Sequence, residues 1–93
     1  MAKTIHVRVV TNEGQAVSDE AVSVVAPGEF GYLGMLHNHA PLVSTVKSGR
    51  LTWQRANGET RMLTVGPGLL EIAKNTLTLL TSSVEESSSS DQP

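Results

Sequence analysis

Cysteine is absent from this chain. That excludes disulfides, zinc ribbons and thiol chemistry, and it fits a reducing compartment. Aromatic residues are almost absent too: Phe30, Tyr32 and Trp53 are the only three. A core must therefore be assembled from Val, Leu, Ile and Met. There is no cluster of Lys or Arg. Residues 1–84 carry seven bases against six acids, and the remaining acids, Glu85, Glu86 and Asp91, lie at the C-terminal end. Nucleic acid is thereby excluded as a partner, because a phosphate backbone demands a concentrated basic patch. No run approaches the roughly 18 apolar residues of a membrane span, so direct insertion is not expected. The opening MAKTIHVRVV lacks both the apolar core of a signal peptide and the Arg/Ser-rich helix of a transit peptide. A sustained helical period is missing everywhere.

What is present is a period of two. IHVRVVT places Ile5, Val7 and Val9 on one face, with His6 and Arg8 on the other. A short strand is expected near Ala16–Val17, punctuated at Ser18–Asp19, and a second over Ala21–Ala26 that Pro27-Gly28 ends. Residues 30–36 read as extended, with Gly31 and Gly34 marking a bulge or a close backbone approach. APLVSTVK, RLTWQRA and TRMLTV follow as strands, with Asn57-Gly58 predicting a two-residue type I′ hairpin between the last two. LLEIAK and TLTLLTS form a final pair. Eight to ten short strands with regular turn signals indicate an all-β sandwich or barrel. Residues 1–84 form this domain. Residues 85–93, in a serine-rich and acidic end, form a tail expected to be disordered.

The residues raise three kinds of chemistry. His37 and His39 would share one face of a strand and could reach one metal, but the nearest acid is Glu29, with Glu13 and Asp19 further off, and no third histidine is close, so no metal site is assigned. No serine sits in a nucleophile elbow, and no catalytic residue is assigned. GEFGYLG lacks the following helix that a phosphate cradle needs, so no cofactor is assigned either. Trp53 reads as a central core residue, with an interface anchor as the alternative. The most informative feature is the run Phe30, Tyr32, Leu33, Met35 and Leu36. Alternation puts apolar groups on both of its faces, and a small sandwich cannot bury both. Residues 30–43 therefore read as a docking edge.

That same stretch, GYLGMLHNHAPLV, resembles the G-x-L-G-x-L-x-x-H-A-P signature of the epsilon subunit of rotary F-type ATP synthases. IHVRVVTNEG, EAVSVVAPG, VKSGRLTW and VGPGLLEIAKNTLTLLTSSVE are similar to further family segments in the same order, from residue 5 to about 86. The resemblance implies a flattened β-sandwich of about ten strands in two five-stranded sheets. It implies a non-catalytic part of the central stalk, a rotor piece that binds the gamma subunit and the membrane c-ring and couples ion-driven rotation to ATP synthesis. It places Gly31, Tyr32, Leu33 and Met35, and then His39, Ala40, Pro41 and Leu42, at that interface. It implies a peripheral location on the cytoplasmic face of a bacterial plasma membrane, or alternatively on a thylakoid or other organelle membrane. Tyr32 departs from the family's frequent glutamate, and His37 from its frequent proline. The inhibitory helical hairpin that follows the sandwich in the family is not found before Pro93. ATP binding and inhibition are therefore not carried over, and the irregular SSSSDQP end is expected to be native.

Overall fold

The computed structural model describes residues 3–87. Ten strands follow one another: β1 (Ile5–Thr11), β2 (Gly14–Ala21), β3 (Ser23–Gly28), β4 (Gly31–Leu36), β5 (Leu42–Val46), β6 (Gly49–Gln54), β7 (Thr60–Val65), β8 (Gly68–Ala73), β9 (Thr76–Thr81) and β10 (Val84–Ser87). There is no helix among the described residues. The period of two does what it predicts. Ile5, Val7 and Val9 of β1, Leu70 and Ile72 of β8, and Leu77 and Leu79 of β9 are buried, while the residues between them face outward or lie half-exposed.

The expected two five-stranded sheets are present as two layers of one continuous sheet. One layer runs β10-β7-β6-β3-β4 and the other β5-β8-β9-β1-β2. They meet at a corner where β3 leaves β6 after Val25↔Thr52 and reaches β5 through Gly28↔Val46. Glu29 N–H to Thr45 O and Lys47 N–H to Pro27 O flank that pair. At a second corner the Val22 N–H bonds Gln54 O. All pairings are antiparallel except β1 with β9, which is parallel. Val24, Ala26, Met35, Leu51, Trp53, Leu63 and Val65 from the first layer pack against Ile5, Val7, Val9, Val46, Leu70, Ile72, Leu77 and Leu79 from the second, forming one core.

Four expectations are corrected. β2 is one strand through Ser18–Asp19, because the inward Asp19 is satisfied: it accepts the Trp53 indole N–H at 2.8 Å and faces Arg55 at 3.4 Å. β3 continues through Pro27-Gly28 rather than ending there, since Pro27 lies beyond the last β3–β6 pair and its carbonyl still accepts from Lys47. Asn57-Gly58 does not make a type I′ turn. Only Gly58 has positive φ (93°), and Gly58 N–H bonds Arg55 O at 2.9 Å while Arg55 N–H bonds Glu59 O. That is a type I turn closed by a glycine bulge. The residues with positive φ at both turn positions are Lys74 and Asn75, between β8 and β9. Finally, Glu85, Glu86 and Ser87, expected in the tail, belong to β10 and pair with Thr64, Leu63 and Met62 of β7. Half-buried Val84 packs on the core and brings them there. The rest of the expected tail, 88–93, lies outside the described residues.

Candidate functional site

Among the described residues β4 is an edge strand, paired only with β3. Its alternation splits the docking stretch. Leu33 is half-buried against the core and Met35 is 1% exposed, so Met35 is a core residue and not part of a docking surface. Its sulfur-bearing chain fills space opposite Val24. Tyr32, Gly34 and Leu36 face outward, with Tyr32 and Leu36 each 63% exposed. Phe30, in the turn before β4, is 98% exposed. Register places exposed Val25 of β3 beside Gly34. Adding a Cβ at Gly34 or Gly31 would meet nothing within 4 Å, so neither glycine serves a close packing contact. Gly34 is instead a flat gap between two exposed apolar side chains. The close backbone approaches lie elsewhere, as at Gly68, where a Cβ would sit 2.0 Å from Leu80 O. Tyr32 shares a shallow depression with Gly49, Arg50, Thr52 and Thr64.

The 37–41 connection lies beyond the end of β4. His37 and Asn38 form a turn rather than a strand, which removes the shared face the metal reading assumed. No group of three or more His, Asp or Glu that could hold a metal exists among the described residues. His39 N–H bonds Leu36 O at 3.1 Å. His39 Nδ1 lies 2.6 Å from Ala40 O; a carbonyl only accepts, so Nδ1 carries a proton, and in the neutral form of the ring Nε2 is the nitrogen with the lone pair. Ala40 and Pro41 are exposed, while Leu42 opens β5 half-buried against the core. Asn38 has φ 67° and Asn75 φ 59°. Asn38 N–H donates to Asn75 Oδ1 at 2.6 Å, and Asn75 Nδ2 donates to Asn38 Oδ1 at 3.1 Å. The Asn75 carbonyl accepts His6 N–H at 2.8 Å.

Several exposed groups went unread in the sequence. The outer face of the other layer carries Val43, Leu69 and Leu80, each 44–62% exposed, around a concavity that Glu71 and Thr78 complete. Each belongs to an apolar doublet, Leu42-Val43, Leu69-Leu70 and Leu79-Leu80, and alternation sends one member of a doublet outward. On the same face Ser18 Oγ lies 3.2 Å from His6 Nε2, and His6 Nδ1 lies 2.6 Å from Glu20 Oε2. These side chains stand exposed on an open sheet, where they act as a cross-strand polar ladder between β1 and β2. Hydrogen bonds from His6 and then Thr4 hold the Glu20 carboxyl below its ordinary value. At the open end of the sandwich, Asp19, Arg55, Arg61 and Glu86 line a cleft of ≈ 400 Å³ over Trp53, whose ring is otherwise buried in the core.

A family model described as "ATP synthase, Delta/Epsilon chain, beta-sandwich domain" matches residues 4–87. The chain is similar to the ATP synthase epsilon chain of Acidithiobacillus ferridurans, 44% identical over 92 residues, covering 99% of this chain and 64% of that one. It is 38% identical over 85 residues to the ATP synthase epsilon chain of Desulfitobacterium hafniense, covering 91% of this chain and 64% of that one. It thus spans less than two thirds of the length of these curated relatives. Among solved structures, a chain of the Euglena gracilis mitochondrial ATP synthase, solved by cryo-EM with OSCP, F1 and c-ring, superposes with a TM-score of 0.84 at 12% identity, over 92% of this chain and 55% of that one. At that identity the likeness speaks for the sandwich fold alone.

Proposed function

The chain belongs to the β-sandwich domain family of ATP synthase delta/epsilon chains, and from that premise we propose that it is a non-catalytic central-stalk part that docks on the gamma subunit and the c-ring. In this role it couples ion-driven rotation to ATP synthesis. It works peripherally in the ATP synthase complex, on the cytoplasmic face of a bacterial plasma membrane. One observation carries the docking: the outward face of β4 exposes Tyr32 and Leu36 across the bare Gly34, beside Val25 and next to fully exposed Phe30. Four exposed apolar side chains around a flat gap are what a closely approaching partner covers. Burying three of them contributes on the order of 5–8 kcal/mol before association costs. Stiffness supports the same reading. A joint that transmits torque must not bend, and the two layers share one core and are hydrogen-bonded at two corners.

Inhibition of hydrolysis and ATP binding are not assigned, because the resemblance ties both to a helical hairpin and the described residues contain no helix. Gly34→Lys and Leu36→Glu test the face without touching the core. Both variants should melt within a few degrees of the wild type. Leu36→Glu should weaken binding to purified gamma about 10- to 100-fold, the worth of one buried leucine. Gly34→Lys should weaken it at least as much by blocking the approach. If both variants fold and bind gamma with wild-type affinity, the docking face is misassigned.

A further inference from the structure

Among the described residues, Asn38, Lys74 and Asn75 are the only non-glycine residues with positive φ, at 67°, 51° and 59°. They meet at one place. Left-handed backbone at a non-glycine residue costs free energy, so three such residues at a single contact require something that holds them there. What holds them is the reciprocal amide pair between Asn38 and Asn75, 37 residues apart in sequence. Asparagine suits both positions, because its short side chain tolerates this backbone and supplies a donor and an acceptor together. Asn75 is rooted in turn. It closes the tight β8–β9 hairpin, and its carbonyl accepts the His6 N–H of β1.

We propose that Asn75 is the positioning residue of the loop 37–41, whose His39, Ala40 and Pro41 the family resemblance puts at the interface: through Asn38 it fixes the loop's backbone and so the presentation of His39. The proposal rests on the docking reading above. Two successive peptides of the loop are held: the His37–Asn38 peptide through Asn38 N–H donating to Asn75 Oδ1, and the Asn38–His39 peptide through His39 N–H donating to Leu36 O. With these peptides fixed, the imidazole donates from Nδ1 to Ala40 O, and Nε2 has no partner among the described residues. Neutral His39 thus offers a hydrogen-bond acceptor, and the matching group on the partner is a donor: a hydroxyl, an amide N–H or a basic side chain. Asn75 itself need not touch the partner.

The decisive variant is Asn75→Gly. Glycine accepts the left-handed backbone, so the hairpin survives while the amide is lost. Hydrogen exchange at the Asn38 and His39 amides and the 15N shifts of the His39 imidazole are read on the chain alone. Gamma affinity and melting temperature are read alongside. Expected are about tenfold faster exchange at both amides, an imidazole signature moving from one tautomer toward an average, and gamma binding weakened about three- to tenfold, with little change in melting temperature. Asn75→Asp keeps the acceptor for Asn38 N–H and should recover most of the exchange protection. Unchanged exchange and imidazole signals in Asn75→Gly overturn the proposal, and so does a loosened loop that binds gamma as tightly as before. If wild-type chain fails to bind gamma, the docking reading falls and the proposal with it. That failure is recognisable because the exchange signals need no partner.

Discussion

A single inward-facing carboxylate joins the open end of the sandwich. Asp19 shares a face of β2 with Val17 and Ala21, yet it is polar, and for that reason the sequence reads as two broken pieces there. Its partners come from β6 and the residue after it, 34 or more positions away: the Trp53 indole at 2.8 Å and Arg55 at 3.4 Å. No local pattern announces such a partner, whereas the purely apolar alternation of β1 and β6 is legible at sight. Burial works against the Asp19 charge, but the hydrogen bonds from Trp53 and the Glu20 backbone, with Arg55 and Arg61 nearby, prevail and hold its carboxyl below the ordinary 3.8. A depressed folded value stabilises the fold above the unfolded value and ceases to do so as pH falls through the folded one. Asp19→Ala should therefore lower stability at pH 7 by about 1–3 kcal/mol, since it strands a buried indole N–H. Asp19→Asn retains an oxygen acceptor and should lose less, but its stability should fall less steeply than the wild type's as pH drops below 3.8. Urea titrations from pH 7 to 2.5 measure both, and parallel curves for wild type and Asp19→Asn contradict the assignment. Glu20, likewise depressed below its ordinary 4.5, keeps some acid sensitivity in either variant.

At the level of strands and turns, the pairings follow the alternation, but the places where backbones touch do not show in it. Gly34 lies in the family-like signature and reads either as a packing glycine or as a flat place for a partner's approach, and the space above it is empty. Gly68 lies in a GPG that reads simply as a break between strands, yet a Cβ there would stand 2.0 Å from Leu80 O and 2.9 Å from Thr81 Cα. Glycine marks a special position without saying which kind, because only the neighbouring strand decides whether the space is occupied. Turn chemistry is ambiguous in the same way. Asn57-Gly58 fits either a two-residue hairpin or a glycine bulge, and the Arg55–Glu59 pairing selects the bulge. Lys74-Asn75 carries no glycine and is held left-handed by contacts from the 37–41 loop and β1. Gly34→Ala should change stability by less than about 0.5 kcal/mol. Gly68→Ala should cost about 3 kcal/mol or more, because the obstructing atoms are main chain and cannot swing aside. Thermal melts of the two variants decide it: comparable losses would mean that β8 and β9 tolerate separation at this point.

For the molecule as a whole, the N-terminal strand cannot complete its layer until nearly the last. β1 has two neighbours, β2 by a short turn and β9 in parallel across the chain. That parallel pair makes β9 the central strand of its layer, with Leu77 and Leu79 fully buried. Without β9 the layer becomes two separate ribbons, β5-β8 and β1-β2, and two-stranded ribbons are marginal at best. β10 is different in kind. Among the described residues it pairs with β7 alone, over four residues, and contributes half-buried Val84. A chain ending at Ser83 should therefore keep a dispersed amide spectrum and lose about 1–3 kcal/mol. A chain ending at Asn75 should be unfolded. The intact chain, whose native pairing needs this long-range closure, should refold in the millisecond-to-second range typical of sandwiches rather than in microseconds. Stopped-flow tryptophan fluorescence reports on that directly, because buried Trp53 is the only tryptophan and sits in the core shared by both layers. A folded chain lacking residues 76–93, or microsecond refolding of the whole, would refute the central place given to β9.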